Sequence, residues 1–174
     1  VVDWDTRNRR YNPSSGARYQ GFALFFDEAI GSQINFKNYH LDLRNYFSVA
    51  PGQVLATQFF IFGTGDRAPF WRFASLGGRV HTRGYRRDRF LDEVLLAVQA
   101  EYRVRTWWRL GVHPFVGWAT VAPELRKMQL QLLKPTLGFG LNLHYGRNDQ
   151  IIARFDTAFG IEGVEFDLSL RQSF

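Results

Sequence analysis

Val94-Leu95-Leu96-Ala97-Val98-Gln99-Ala100-Glu101-Tyr102-Arg103-Val104-Arg105 carries an almost strict two-residue period. Val94, Leu96, Val98, Ala100, Tyr102 and Val104 fall on one parity; Leu95, Ala97, Gln99, Glu101, Arg103 and Arg105 fall on the other. Successive side chains of a strand point to opposite faces, so the stretch predicts a strand with one apolar face and one small, polar or charged face. The pattern continues downstream. Leu110, Val112, Val116 and Trp118 alternate with Arg109, Gly111, His113, Phe115, Gly117 and Ala119, and Leu137, Phe139, Leu141, Leu143 and Tyr145 oppose Thr136, Gly138, Gly140, Asn142 and His144. After Gly146-Arg147-Asn148-Asp149, a turn composition, Ile151, Ala153, Phe155 and Phe159 oppose Arg154 and Asp156. The last run sets Val164, Phe166, Leu168, Leu170 and Phe174 against Glu165, Asp167, Ser169, Arg171 and Ser173.

Upstream, period two returns over Val54 to Phe62, Asn35 to Val49 and Ala17 to Phe26, preceded by a strand stub at Val1 to Thr6. The reading is eight full strands after a stub, all-β and antiparallel. Connections after Val49, Arg105 and Tyr145 are short, whereas Gly63 to Asp92 and Ala122 to Pro135 are long. Short periplasmic turns and longer external loops are the habit of outer-membrane barrels. Glu124 to Lys134 fits either a short amphipathic helix or a strand extension.

Composition narrows the class. No stretch approaches the roughly 20 apolar residues of a membrane-spanning helix. Yet 17 Phe, 7 Tyr and 5 Trp make the chain 17% aromatic at a mean hydropathy of -0.25. A transmembrane barrel combines these properties, because only alternate residues meet lipid. The second parity decides between a soluble sandwich and a membrane barrel: Gly21, Ala23, Ala97, Gly111, Gly117, Ala119, Gly138 and Gly140 are small. A solvated face has no reason to avoid bulk, but the narrow interior of an eight-stranded barrel does. Trp107, Trp108, Trp118, Tyr145 and Phe174 sit at strand ends, where interfacial aromatics gather. Cysteine is absent, so neither a disulfide framework nor a thiolate metal site exists. The net charge of +6 favours anionic partners. The outer-membrane reading makes these lipid phosphates or lipopolysaccharide, and no nucleic acid is expected.

Between two strand runs lies Leu76-Gly77-Gly78-Arg79-Val80-His81-Thr82-Arg83-Gly84-Tyr85. Its Gly-Gly-x4-Arg-Gly-aromatic spacing resembles the signature loop of the outer-membrane assembly barrels, the BamA and TamA group of the bacterial surface antigen family, and of two-partner-secretion transporters. Asp5-Thr6-Arg7-Asn8 with Pro13-x-x-Gly16 resembles the turn that opens the second half of that barrel, and the run Phe166, Leu168, Leu170, Phe174 resembles a C-terminal targeting signal. The resemblance covers the whole chain as one domain, 1–174, without the POTRA domains, and corresponds to the C-terminal half of a sixteen-stranded barrel. It implies that the tip of Gly77, Gly78, Arg83, Gly84 and Tyr85 folds into the lumen and that Arg83 pairs with Glu101. The family's second acidic partner lies in Phe-x-Asp-x-Gly; here Phe115-Val116-Gly117-Trp118-Ala119 has Gly117 in its place. Asp156 or Asp167 is the expected substitute. Gly117, Ala119, Gly138 and Gly140 are expected to leave a pocket for the tip.

Other clusters carry less chemistry. His40, His113 and His144 share the inward parity without the paired spacing of a zinc site, so a structural role is expected. Asp42, Glu93, Glu101, Asp156, Glu165 and Asp167, interleaved with Arg44, Arg103, Arg109, Arg154 and Arg171, read as a neutralised interior network. No Ser/His/Asp motif or phosphate-cradling glycine loop is present; no catalytic residue, cofactor or metal is expected. The long loop carries Arg67, Arg72, Arg79, Arg86, Arg87 and Arg89, a match for lipopolysaccharide phosphates. The expected function is a non-enzymatic assembly-type barrel of the bacterial outer membrane that inserts client proteins or perturbs the bilayer. The alternative is a surface-interaction barrel acting through the Arg-rich loop. Because an open strand edge is not tolerated in lipid, two copies pairing edge to edge form a further expected arrangement.

Overall fold

The computed structural model describes residues 1–65, 68–78, 80–129, 132–145, 151–170 and 172, with the side chains of 30 and 151 excepted. The expected positions Arg67, Arg79, Arg171, Phe174 and the 146–149 turn lie outside the described residues.

Eleven strands form, because the alternating stretches pair in sequence order: β1 (Val2–Asp5), β2 (Gly16–Phe26), β3 (Phe36–Ala50), β4 (Gln53–Thr64), β5 (Ala74–Leu76), β6 (Phe90–Asp92), β7 (Val94–Trp107), β8 (Leu110–Ala122), β9 (Lys134–Tyr145), β10 (Ile151–Gly160) and β11 (Gly163–Ser169). Nine make one antiparallel sheet, β1-β2-β3-β4-β7-β8-β9-β10-β11, while β5 and β6 pair with each other. The eight long strands read from the alternation are therefore joined by the stub and by a small ladder inside the long loop.

The expectation of a closed eight-stranded barrel is corrected in both count and closure. Among the described residues no ladder joins β11 to β1 or β2, and the sheet is open. The physical reason is at the first edge. Arg7 clamps Asp5 through Nε and Nη2 at 2.9 and 2.6 Å, and the Asn8 side-chain Oδ1 accepts the Ser14 N–H at 3.0 Å. This turn folds β1 back along Arg18 to Gly21 of β2. Four of the 11 residues along the β2 edge that a final strand would need are thus occupied by β1.

Parity sorts the faces. On β9, Thr136, Gly138, Gly140, Asn142 and His144 are buried while Leu137, Phe139, Leu141, Leu143 and Tyr145 are exposed. An apolar exposed face repeated on strand after strand is a surface built for lipid. The concave face is filled by the chain itself. Phe60, Leu95, Ala97 and Ala119 of the wall form one apolar cluster with Ala74 and Leu76 of β5 and with Tyr85 of the loop. The long loop is consequently a plug with its own ladder and a 3-10 turn at Phe70–Arg72. Leu125–Lys127 forms another single 3-10 turn before β9 begins at Lys134.

Candidate functional site: the folded-in loop and its charged anchor

The loop turns inward because two glycines allow it. Gly77 has φ +121°, and a Cβ there would collide with the Arg86 carbonyl, so only glycine lets the two limbs of the loop approach. The Gly77 N–H donates to Thr82 Oγ1 at 2.9 Å and the Gly78 N–H to the Tyr85 carbonyl at 3.0 Å. Gly84, at φ +86°, then lays its backbone against Gly160 of β10, with the Gly160 nitrogen 3.1 Å from where a Gly84 Cβ would stand. Tyr85 is fixed from both sides: its hydroxyl donates to the Pro135 carbonyl at 2.8 Å and accepts the Ile161 N–H at 3.2 Å.

Arg83 lies at the bottom of this tip and is 3% exposed. Its Nη1 donates to Glu101 Oε2 at 2.6 Å and reaches Asp156 Oδ2 at 3.3 Å, while Nη2 donates to Gln99 Oε1 at 3.1 Å. The guanidinium stacks on Phe115, 3.4 Å from the ring centroid. Glu101 is fully buried and accepts from three arginines. Arg103 Nε approaches to 2.8 Å, and Arg154 grips both carboxylate oxygens at 2.9 and 2.6 Å. Arg154 also donates to Asp156 through Nε and Nη2, at 2.8 and 2.7 Å, and Asp156 meets His113 Nε2 at 2.6 Å. Two carboxylates thus hold three guanidinia in one desolvated knot. Removing one member of such a buried group costs far more than the pair adds to stability, because the others stay charged without water.

A second polar layer carries the loop upward. Gln99 Nε2 donates to both Gln58 Oε1 and the Val80 carbonyl, each at 2.6 Å, and Gln58 Nε2 donates to Asp42 Oδ1 at 2.8 Å. His81 stacks on Phe60 with centroids 3.6 Å apart. Outside, Arg89 makes a bidentate pair with Glu162 at 2.7 and 2.8 Å, tying the loop to the β10–β11 turn. Arg89 hydrogen-bonding holds the Glu162 carboxyl below its ordinary value. The open space between loop and terminal hairpin is a cleft of about 680 Å³ that includes Arg83, Tyr85, Asp156 and Phe166.

Several expected positions sit differently. The nearest neighbours of Gly138 and Gly140 are not tip residues: a side chain on Gly138 would strike the Phe115 ring, and one on Gly140 would strike His113 and Asp156. They make room for the groups on which Arg83 rests, while Gly160, which no periodicity singles out, receives Gly84 and Tyr85. Gly117 faces Gln99. Arg109, expected inward, lies in the β7–β8 turn and stacks on Trp108. Asp167 is opposite Asp156 on β11. The three inward histidines are dispersed: His113 bonds Asp156, His40 stacks on Phe22 at 4.4 Å, and His144 is buried on β9. Phe166, Leu168 and Leu170 project outward and are exposed. Arg154, Gln99 and Gln172 are the anchor residues whose roles sequence reasoning missed. Gln172 accepts from Arg154 at 3.0 Å and donates to Asn12 Oδ1 at 3.4 Å, on the turn between β1 and β2.

The family model of the Omp85 superfamily domain matches residues 2–171. Among solved structures, the crystal structure of BamA from Haemophilus ducreyi lacking POTRA domains 1-3 is similar, with a TM-score of 0.76 and 15% identity. That likeness covers 98% of this chain and 40% of the BamA chain, so the sequence spans less than half of that structure. No curated protein matches the chain.

Proposed function

We propose a function from one premise: the chain belongs to the Omp85 superfamily. It is a bacterial outer-membrane protein of the insertion type. Its role in our reading is non-enzymatic: it assists the insertion of other outer-membrane proteins by thinning the bilayer beside its last strand. The observation that supports this is the disparity of strand lengths around the sheet. β3 has 15 residues and β11 has 7. At about 3.3 Å per residue and a tilt of about 40°, they span roughly 38 and 18 Å along the membrane normal. The hydrocarbon core is about 30 Å thick, so β11 covers less of it than β3 does, and among the described residues no ladder runs along the outer edge of β11. A client strand meets there both a lowered barrier and a sheet edge to which no described strand is laddered.

The test is reconstitution. Vesicles carrying the protein are given a urea-unfolded barrel, and its folding is followed against vesicles carrying an unrelated eight-stranded barrel. Faster folding is expected beside this protein; equal rates overturn the proposal. A second reading, binding of lipopolysaccharide at the external loop, is favoured by Arg86 and Arg87, whose side chains are 85% and 86% exposed. Retention of lipopolysaccharide by the protein and its loss in an Arg86→Gln, Arg87→Gln variant, with client folding unchanged, would mark that role.

A further inference from the structure

The turn between β7 and β8 departs from the chemistry that its geometry asks for. Trp107 pairs with Leu110, leaving Trp108 and Arg109 as a two-residue hairpin loop. Such loops favour Asn-Gly or a glycine pair, because they require left-handed backbone. Here Trp108 holds φ +39°, a conformation that a large aromatic residue rarely adopts. A local rule broken without a gain in packing points to a task other than folding. Trp107 and Trp108 are 73% and 71% exposed, so packing is not the gain.

What the conformation achieves is a fixed cation among rings. The Arg109 guanidinium lies 4.6 Å from the Trp108 ring centroid and 5.5 Å from that of Tyr145. The Arg109 carbonyl accepts the His144 N–H at 2.8 Å, and Arg105 Nε donates to the Trp108 carbonyl at 2.9 Å, so both halves of the loop are held. Arg109 meets no carboxylate among the described residues. Arg9 and Arg105 line a cleft at the same end of the sheet, adding to the positive potential there.

Short turns of an outer-membrane barrel lie at the periplasmic interface, the depth at which Trp and Tyr rings meet headgroups. We propose that Trp107, Trp108, Arg109 and Tyr145 form a binding site for an anionic glycerophospholipid of the periplasmic leaflet. The guanidinium takes the phosphate, and the rings lie along the glycerol and the first acyl carbons. A zwitterionic lipid brings its own ammonium into the same space, so the site selects lipids of net negative charge.

Native mass spectrometry of the folded protein in detergent, with short-chain phosphatidylglycerol or phosphatidylcholine added at equal concentration, tests the site. Phosphatidylglycerol is expected to bind about 5-fold more tightly, and Arg109→Gln to abolish the preference. Trp108→Gly relieves the backbone and keeps the fold, but weakens lipid binding severalfold. Equal binding of the two lipids, an Arg109→Gln variant that keeps the preference, or a Trp108→Gly variant that folds yet binds lipid as before would overturn the proposal. Inorganic phosphate at the same concentration is expected not to compete. Full competition would reduce the site to one for free anions and overturn the lipid assignment.

Discussion

Arg154 closes on Glu101 through two hydrogen bonds, 2.9 and 2.6 Å long, although the two residues stand 53 positions apart on strands that do not pair. The contact crosses the concave interior and passes beneath the loop, so Arg83 lands on a carboxylate that is already held. This ordering makes the two arginines unequal. Glu101→Ala leaves Arg83, Arg103 and Arg154 with Asp156 as the remaining carboxylate of the knot, and is expected to lower stability by about 3–5 kcal/mol. Arg83→Met keeps the Arg154–Glu101 pair and should cost clearly less, while freeing the tip to protease between Val80 and Arg89. Urea unfolding of the reconstituted protein and limited proteolysis measure the two effects. Equal losses from both substitutions would mean that Arg83, not Arg154, supplies the main counter-charge.

Gly160 and Gly138 serve different groups and should fail differently. A Cβ on Gly160 would stand 3.0 Å from the Tyr85 Cζ and against the Gly84 carbonyl. Gly160→Leu is expected to lift the tip off β10, break the Tyr85–Pro135 hydrogen bond and cost about 1–3 kcal/mol through overpacking. Gly138→Leu displaces the Phe115 ring instead and withdraws the surface on which Arg83 stacks. Tyr85 fluorescence in a tryptophan-free background would change with Gly160→Leu first. A Gly63→Ala control, 3.9 Å from Val94 Cγ2, should leave both stability and spectrum unchanged.

The parity of Glu101, Gln99 and Arg154 was legible because period two assigns a face without any knowledge of partners. The partners themselves were not. Arg154 and Arg44 carry the same parity and the same charge, yet one binds two carboxylates across the interior and the other folds onto Asp42, two residues away. Only the curvature of the sheet distinguishes them, and curvature leaves no mark in alternation. Closure was misread for a related reason. The apolar pattern of β11 is the same whether or not a neighbour accepts its backbone, and the turn of Asp5, Arg7, Asn8 and Ser14, although it resembles the family's turn, does not reveal in its composition that it lays β1 along the β2 edge. The β5–β6 ladder, with 3 residues in each strand, is too short to display a period.

The external tether is expected to be pH-dependent. Arg89 hydrogen-bonding holds the Glu162 carboxyl below its ordinary value of 4.5. A depressed carboxyl pKa adds stability that is complete above the unfolded value and is lost as pH falls through the folded value. Docking of residues 86–90 should therefore be unchanged from pH 7 to about 5.5 and weaken below 4.5, as read by amide exchange in that segment. The pair is exposed, so high salt should weaken it at neutral pH as well. Arg89→Gln removes both dependences; an unchanged acid transition in that variant would assign the effect to another group.

The outward parity makes a depth-dependent prediction that no soluble sheet would obey. Phe139 lies in the middle of β9 and Val49 near the short-turn end of β3, and both are more than half exposed. On a water-facing surface, arginine at either position would be nearly neutral. On a lipid-facing surface, Phe139→Arg places a charge near the bilayer centre and should cost about 2–4 kcal/mol, whereas Val49→Arg lies near the interface and should cost about 0–1 kcal/mol. Folding titrations into lipid vesicles compare the two. A difference of the stated size places Phe139 against the hydrocarbon core and, through the shared parity, Leu137, Leu141 and Leu143 with it. Equal small effects would mean that this face meets water or protein, and the strand-length argument for thinning at β11 would fall with it.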